Sequence, residues 1–198
     1  MILNLKLLMM TSSVNNYSVV KDEFKNFRQA IIRNSIPMRE NVLCSLNSLE
    51  DKDKRRIING FYNRKFVPNI FLVINWRQYK IFKFLIENNA DINYFYNVWG
   101  NPEVEGEYTP LMWVARMGNL QFANVLLKNG ANIYLQNKNR NNSIYYAKLN
   151  KNKNMLKLLE KKHQKNKDDL NFLLYNHDKF YKLDEYVINH IIEFVYYL

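Results

Sequence analysis

Histidine and cysteine are the side chains that proteins use most for metal binding and nucleophilic catalysis, and this chain has few of either. It contains one cysteine, Cys44, and three histidines, His163, His177 and His190. No two of these residues are three or four positions apart, which is the spacing that places two ligands on one face of a helix. A single thiol also excludes an intrachain disulfide and a cysteine-based zinc site. The sequence therefore predicts no metal site, and no motif pairs Cys44 with a histidine as a nucleophile and its base.

Cofactor binding has no sequence signal either. The chain has neither the glycine-rich loop that cradles phosphate groups nor a dinucleotide fingerprint. We therefore predict a protein that is not an enzyme, with no catalytic residue and no cofactor.

The chain carries a large positive charge. Lysine and arginine number 29 against 18 aspartates and glutamates, a formal net charge of +11 at pH 7. A basic surface suits nucleic acid or anionic lipid. Many of the lysines, however, lie in Lys/Asn-rich runs at residues 137–142 and 150–154, which are typical of a compositionally biased genome. Because no motif that reads RNA or DNA accompanies the charge, we predict no specific nucleic-acid partner.

The N-terminal stretch and the apolar runs indicate where the protein works. Residues 1–10 are apolar, but Asn4 and Lys6 interrupt them and no basic residue precedes them, which disfavours a signal peptide. No run reaches the roughly 18 apolar residues of a membrane span. A single cysteine suits a reducing compartment. We therefore predict a cytoplasmic protein without a membrane span.

The spacing of apolar residues indicates short helices, and no stretch sustains the period of two that a half-buried strand requires. Residues 14–34 predict an amphipathic helix, and residues 42–49 predict a second, short one. A third helix begins at a capping box from Ser48 to Asp51 and ends at Asn59-Gly60. The apolar face of the first helix consists of Phe24, Phe27 and Ile31.

The segment Thr109–Ile133 has the most regular pattern in the chain. Thr109 and Pro110 open a helix in the positions that a helix start prefers, a hydroxyl cap followed by a residue whose φ is already set. Gly118 joins this helix to a second one, which ends at the C-cap signal Asn129-Gly130. Since each helix carries one apolar stripe, the pattern predicts a pair of packed helices joined by a tight turn.

This segment resembles an ankyrin repeat, whose consensus is close to T-P-L-H-x-A-A-x-x-G-x-x-x-x-V-x-x-L-L-x-x-G-A. The resemblance covers the helix starts, the glycine within the repeat, a double leucine and the terminal Gly-Ala, while Met112 replaces the family's common histidine. Aligning residues 90–93 on 131–133 implies an earlier repeat, with helices over residues 68–75 and 79–88.

The same register extends the resemblance in both directions. Arg77 and Asn89 take the places of the two glycines in the earlier repeat, and asparagine is the next best residue for left-handed backbone. Carrying the pattern forward by about 33 residues, a common ankyrin period, aligns Asn142-Ser143 with Thr109-Pro110. The resemblance therefore implies an all-α fold, an ankyrin-repeat helical array of three repeats over residues 66–162.

Helical regions flank the predicted array on both sides. The N-terminal region, residues 1–65, shows no Thr-Pro-Leu or Gly-Ala, so whether it hides a degenerate repeat stays open. After the array, the basic segment Lys161–Lys167 predicts a solvated spacer, and a helix follows at about residues 168–175. Residues 163–198 form the predicted C-terminal helical segment.

The end of the sequence, Leu183–Leu198, predicts a broad apolar stripe on one helix. It resembles the opening helix of an F-box, L-P-x-E-[IV]-x-x-x-I-[IL]-x-[FY]-[IVL], although Asp184 stands in the place of the proline and the two further F-box helices are missing. This resemblance implies a ubiquitin-ligase substrate adaptor of a virus or an intracellular bacterium, acting on proteins in the host cytoplasm. The alternative, which we favour, is a helix that caps the last repeat near Met155, Leu158 and Leu159.

The ankyrin resemblance also implies how the protein acts. Ankyrin arrays bind partners on a concave face lined by connector tips and first helices, so we expect a non-enzymatic protein–protein interaction module. The connector Tyr94–Tyr108 carries an insertion of about eight residues, and insertions in repeat folds lie on one face, often the binding face.

The predicted contact residues are Trp76, Tyr96, Trp99, Glu105, Tyr108, Arg116, Met117, Asn129, Lys138, Asn139 and Asn141, with Leu149 and Asn150 at equivalent positions of the last repeat. Because Tyr108 is placed among exposed contacts, we expect Tyr108→Ala to leave stability nearly unchanged. Leu126→Ala, in the predicted core, is expected to unfold the array.

Overall fold

Short helices joined by tight turns make up most of the computed structural model. The structure describes residues 21–33, 49–60, 67–98 and 106–176, together with Val187. The only β-strands in these ranges are two short ones, and the other elements are helices, which confirms the predicted all-α helical array. The chain divides into two compact units, Met1–Asp91 and Ile92–Leu198. This division lies inside the predicted array, whose limits at residues 66 and 162 stay a prediction.

Four helices belong to the described ranges of the first unit. Helix α1 covers residues 21–33, and it is followed by α2 (Asp51–Asn59), α3 (Asn69–Asn75) and α4 (Tyr79–Glu87). The bounds of α3 and α4 confirm the two helices that the repeat register implies, since each end agrees to within one residue.

Helix α1 packs into the core of the first unit through the face that the sequence predicts. The buried residues on this face are Phe24, Phe27, Ala30 and Ile31. The ring of Phe27 meets the ring of Phe84 edge-on, with 6.2 Å between centroids. Arg28 Nη1 donates a hydrogen bond to the carbonyl oxygen of Val67 at 2.8 Å. These contacts join α1 to α4 and to the start of α3, which confirms its predicted apolar face.

Helix α2 begins differently from the prediction and ends as predicted. Its N-cap residue is Glu50, and no described side chain caps the first turn. The predicted capping box from Ser48 to Asp51 is therefore wrong, because the helix starts too late for Ser48 to cap it. At the other end, Gly60 takes left-handed backbone with φ of 79°, as a C-cap glycine does. The helix predicted at residues 42–49 lies almost entirely outside the described residues.

A β-hairpin opens the described part of the second unit. Strand β1 (Tyr96–Val98) pairs antiparallel with β2 (Gly106–Tyr108), and Tyr96 lies opposite Tyr108. Residues 99–105, between the strands, lie outside the described residues. The connector between two repeats thus holds a short antiparallel strand pair in an otherwise helical array.

Two helix pairs follow the hairpin. The first pair is α5 (Pro110–Met117) with α6 (Leu120–Lys128), and the second is α7 (Ser143–Leu149) with α8 (Lys153–Asn176). Helix α5 packs on α7 and α6 packs on α8, so that the pairs stack as a layer of first helices and a layer of second helices. The buried residues between them include Leu111, Val114, Ala115, Phe122, Ala123, Leu126, Ala147, Met155 and Leu159.

Side-chain caps begin the helices of the second unit. Thr109 Oγ1 accepts from the backbone N–H of Met112 at 3.2 Å, while Met112 Sδ accepts from the Thr109 N–H at 3.4 Å. Methionine thus completes a capping box in the place of the family's histidine. Asn119, Asn142 and Asn152 cap α6, α7 and α8 by accepting from the backbone N–H three residues further on. Some of the asparagines therefore cap helices, so a biased genome composition does not account for all of them.

Left-handed backbone closes the turns at the positions that the repeat register predicts. Between the first and second helix of the three repeats lie Arg77 with φ of 54°, Gly118 with 71° and Lys151 with 52°. After the second helix lie Asn89 with φ of 59° and Gly130 with 87°. The predicted replacement of glycine by Arg77 and Asn89 is therefore confirmed, and Lys151 continues the pattern.

Helix α8 is longer than predicted. It runs without a break from Lys153 to Asn176, which is about 36 Å at 1.5 Å per residue. Residues 168–175 are helical as predicted, but the spacer predicted at Lys161–Lys167 is wrong because the same helix continues through it. Lysine, glutamate and glutamine are good helix formers, so a polar segment continues a helix that buried side chains anchor at its start. The predicted boundary after residue 162 lies inside this helix.

The C-terminal tail lies outside the described residues, apart from Val187, which is helical. The F-box resemblance and the alternative of a cap on the last repeat both concern Leu183–Leu198, so both stay predictions. Within the described ranges, the structure contains no helix long and apolar enough to cross a bilayer.

Candidate binding surface

Exposed apolar side chains gather on the first helices of the second unit. Met117, Tyr145 and Leu149 are 38%, 43% and 52% exposed. They are three of the five large apolar side chains exposed in residues 92–98 and 106–176. Because single exposed apolar residues are common on protein surfaces and groups of them are not, a group indicates a binding site.

These three side chains lie on two helices that pack against each other. Tyr145 and Leu149 lie four residues apart on α7 and therefore share a face of that helix. Asn150 Nδ2 donates a hydrogen bond to the carbonyl oxygen of Arg116, which joins the end of α7 to the end of α5, where Met117 lies. We call this group the α5–α7 surface, and it consists of Arg116, Met117, Tyr145, Lys148 and Leu149.

Burial on their inner faces holds both helices in place. Leu111 and Val114 on α5 and Ala147 on α7 are buried against neighbouring elements. Rotating either helix to hide its exposed side chains would bring these core residues into water, at roughly 25 cal/mol per Å² of apolar area. The α5–α7 surface is therefore formed in the free chain, and a preformed surface lowers the entropic cost of any binding.

Tyr108 is buried, which corrects its assignment as an exposed contact residue. Its side chain is 3% exposed, and its ring centroid lies 5.1 Å from that of Trp113 and 5.0 Å from that of Tyr146. Burial raises the pKa of the Tyr108 phenol to about 12, and Tyr146 adds to this shift through its charge and a hydrogen bond. Tyr108 therefore belongs to the core of the unit, and Tyr108→Ala is now expected to destabilise it.

Asn137 organises the loop before α7, although the sequence analysis did not single it out. Its buried Nδ2 donates to the carbonyl oxygen of Glu107 at 3.1 Å and to the Tyr146 hydroxyl at 2.9 Å. Its Oδ1 accepts from the backbone N–H groups of Asn139 and Asn141, at 3.0 Å each. Asparagine favours such local bonds in turns, but that signal does not distinguish Asn137 from the other asparagines of the run.

Two predicted contact residues, Lys138 and Asn139, lie exposed on this loop. Lys138 Nζ pairs with Glu107 Oε1 at 2.7 Å, and the lysine side chain is 79% exposed. An exposed ion pair of this kind contributes at most about 1 kcal/mol, so a partner can displace it. Asn141, also predicted, is half-buried and is held by its hydrogen bond to Asn137.

The other predicted contact residues belong to separate elements. Trp76, 46% exposed, ends α3 in the first unit. Asn129 follows the last turn of α6, about 12 Å along that helix from the turn at Gly118. Tyr96 lies half-buried in β1. Trp99 and Glu105 lie outside the described residues.

His163 supports packing in the described part of the chain. Its Nδ1 lies 2.9 Å from the Tyr134 hydroxyl, and the two rings meet edge-on at 5.6 Å. Burial, and then the charge of Lys167, lowers the pKa of His163 below its usual value. This pair joins the middle of α8 to the loop after α6. Among the described residues no group of three or more His, Cys, Asp or Glu could hold a metal ion.

Comparison with known proteins bears on the whole repeat region. A family model described as ankyrin repeats (3 copies) matches residues 70–171, which is more than half of the chain. The matched residues begin in α3 and end in α8, so they include every residue of the α5–α7 surface. No curated protein matches the chain.

Proposed function

Because the chain belongs to the ankyrin-repeat family, whose arrays are protein–protein interaction modules, we propose that it binds a partner protein through the α5–α7 surface. The exposure of Met117, Tyr145 and Leu149 on a preformed helical surface is the observation that carries this proposal. Aromatic residues, methionine and arginine are the types enriched in protein interfaces. Lys138 and Asn139 extend the proposed contact area along the loop before α7.

The remaining predicted contact residues are proposed as contacts on several different elements. Arg116 belongs to the α5–α7 surface, and Asn141 and Tyr96 are proposed as contacts at the loop and the hairpin. Trp76, in the first unit, and Asn129, after α6, are each proposed as individual contacts. Trp99 and Glu105 stay sequence predictions, and Tyr108 is withdrawn because it is buried.

The proposal extends to the kind of activity and its setting. Binding is the whole activity of the chain, without catalysis, as is typical of ankyrin-repeat proteins. The setting is the cytoplasm, which the single cysteine supports because a reducing compartment needs no disulfides.

The ubiquitin-ligase adaptor remains an alternative that comes from the sequence alone. It requires Leu183–Leu198 to dock on a ligase component of a host cell, and the structure describes only Val187 of that segment. No contact in the described ranges favours it over simple binding.

Partner capture with surface variants tests the proposed function. Full-length wild type, Leu149→Ala and Phe172→Ala would each capture proteins from cells that contain this chain, and mass spectrometry would quantify every captured protein. Phe172 is the matched control, because it is 68% exposed and lies on α8. We expect a partner that wild type and Phe172→Ala retain and that Leu149→Ala retains about tenfold less. A partner set unchanged by Leu149→Ala would contradict the proposal.

A further inference from the structure

The stretch that builds the α5–α7 surface is strongly cationic. Residues 106–152 contain six basic side chains and one carboxylate, that of Glu107. This carboxylate is already paired with Lys138 at 2.7 Å. The other acidic groups in the described part of the second unit all lie on α8, and they are Glu160, Asp168 and Asp169. The six basic residues are Arg116, Lys128, Lys138, Arg140, Lys148 and Lys151.

Three of these cations adjoin the apolar side chains of the surface. Arg116 precedes Met117, Lys148 precedes Leu149, and Lys151 follows in the turn after α7. Lys148 and Lys151 are exposed. Neither of their ammonium groups forms an ion pair within the described ranges. An apolar centre therefore has a cationic rim, in which Lys148 and Lys151 form no ion pair within the described ranges.

This combination fits an acidic protein segment better than a nucleic acid or a membrane. Single-stranded nucleic acids bind by stacking bases on aromatic rings, whereas two of the three apolar side chains here, Met117 and Leu149, are aliphatic. A membrane-bound helix buries its apolar face about 5–10 Å into the bilayer, but Met117 and Tyr145 are each less than half exposed. A side chain projecting from a partner protein can reach residues that are only partly exposed.

We propose that the α5–α7 surface binds an acidic segment of its partner, in which a large apolar side chain contacts the apolar centre and neighbouring carboxylates pair with Lys148 and Lys151. This inference rests on the proposed function and adds the chemistry of the partner to it. Complementary charges at the rim of an interface act mainly on the association rate and on the choice of partner. Binding therefore weakens with added salt, since the Debye length is about 10 Å at 0.1 M and shorter above it.

Peptide selection on the full-length protein provides the test. Random peptides displayed on phage would be selected on wild type, and the enriched peptides would be synthesised with a fluorophore. Fluorescence anisotropy would then give each dissociation constant for wild type and three variants. The variants are Leu149→Ala, Lys148→Glu with Lys151→Glu, and Lys157→Glu with Lys161→Glu.

The last variant is the matched control for charge. Lys157 and Lys161 are exposed on α8 and form no ion pair in the part of the chain that the structure describes. Their replacement changes the net charge as much as Lys148→Glu with Lys151→Glu does, away from the α5–α7 surface. Thermal unfolding followed by circular dichroism confirms that each variant is folded.

The inference predicts that enriched peptides are acidic and contain a large apolar residue. Their affinity is expected to fall about tenfold or more with Leu149→Ala and with Lys148→Glu/Lys151→Glu, and to change little with Lys157→Glu/Lys161→Glu. It should also fall when sodium chloride rises from about 50 to about 300 mM.

Other results overturn the inference in distinguishable ways. Suppose that the enriched peptides are neutral or basic, and that their affinity falls with Leu149→Ala but not with Lys148→Glu/Lys151→Glu. This result refutes the acidic partner and is consistent with the proposed function. Peptides whose affinity does not change with Leu149→Ala refute both the acidic partner and the proposed function. A selection that enriches no peptide also refutes both. A random-sequence single-stranded RNA or phosphatidylserine vesicle that binds more tightly than any peptide, and depends on Lys148 and Lys151 alone, assigns the surface to that ligand instead.

Discussion

At the scale of single residues, Tyr108, Asn137 and Tyr146 connect the hairpin, the loop before α7 and α7 itself. The Tyr146 hydroxyl accepts a hydrogen bond from Asn137 at 2.9 Å, and the Tyr146 ring lies 5.0 Å from that of Tyr108. All three side chains are buried, where an unsatisfied polar group costs roughly 1–3 kcal/mol. Because Tyr145 directly precedes Tyr146 on α7, the same contacts position it on the α5–α7 surface.

The burial of Tyr108 makes the stability of the fold depend on pH in the alkaline range. Its pKa is raised from 10.0 to about 12, so the folded chain keeps the phenol proton at pH values where the unfolded chain has lost it. This contribution to the unfolding free energy is complete below pH 10 and is lost as the pH rises towards 12. Urea unfolding of wild type and Tyr108→Phe over this pH range measures it. Wild type should lose more stability than the variant, and parallel losses would contradict the burial of the phenol.

At the scale of elements, left-handed turns follow several helices of the array, and the atoms that surround the turn residue differ between Gly118 and Gly130. Gly118 has φ of 71°, and a Cβ placed there would lie 2.5 Å from Asn152 Nδ2. Asn152 is the cap of α8 and accepts from the Met155 N–H at 3.0 Å. Gly130 has φ of 87°, and a Cβ there would meet no atom within 4 Å. The two glycines share one backbone requirement, and only Gly118 also lies against a helix cap.

Gly118→Ala is therefore expected to destabilise the protein more than Gly130→Ala. Positive φ costs roughly 1–2 kcal/mol in any residue with a Cβ, and both variants incur it. At position 118 the methyl group also pushes Asn152 from its capping bond, and losing a helix cap costs about 1 kcal/mol more. Urea unfolding measures both losses, and in an Asn152→Ala background the difference between the two variants should disappear. Equal losses in the wild-type background would show that Asn152 moves aside without releasing the cap.

At the scale of the whole molecule, a short ankyrin array depends on contacts between neighbouring repeats, because each helix pair buries only part of its apolar surface by itself. Leu126 on α6 is fully buried, whereas Leu149 on α7 is 52% exposed. Folded domains are stable by about 5–15 kcal/mol in total. One buried leucine therefore carries a large share of the stability, and an exposed leucine is available for binding.

Leu126→Ala is expected to lower the unfolding free energy by about 2–5 kcal/mol, through lost burial and the cavity left behind. Leu149→Ala, at the surface, is expected to change it by no more than about 0.5 kcal/mol. Circular dichroism during urea unfolding measures both, and the second value also establishes that Leu149→Ala stays folded in the binding experiments. Similar losses for the two variants would place Leu149 in the core and remove the basis of the proposed surface.

The helix pattern of the repeats could be predicted because its signals are local. Thr109 caps α5, Gly118 closes the turn to α6, and Arg77 and Asn89 take left-handed backbone where the register places a glycine. Each of these features depends only on residues within about one helical turn in the sequence. The predicted break within α8 was wrong because a polar composition was interpreted as a spacer, although lysine and glutamine also favour helix.

The binding surface could be predicted only in part, because it depends on residues far apart in the chain. Arg116 and Met117 were predicted contact residues, and both lie at the end of α5, on the α5–α7 surface. The sequence predicts Tyr108 as an exposed connector residue, because its burial depends on contacts with Trp113 on α5 and Tyr146 on α7. The sequence by itself determined the repeat, its turns and its excess of positive charge, since these follow from residue types and neighbouring positions. Only the tertiary structure decided that the exposed apolar side chains of two repeats lie on neighbouring helices, because α5 packs on α7 and no local pattern predicts this contact between repeats.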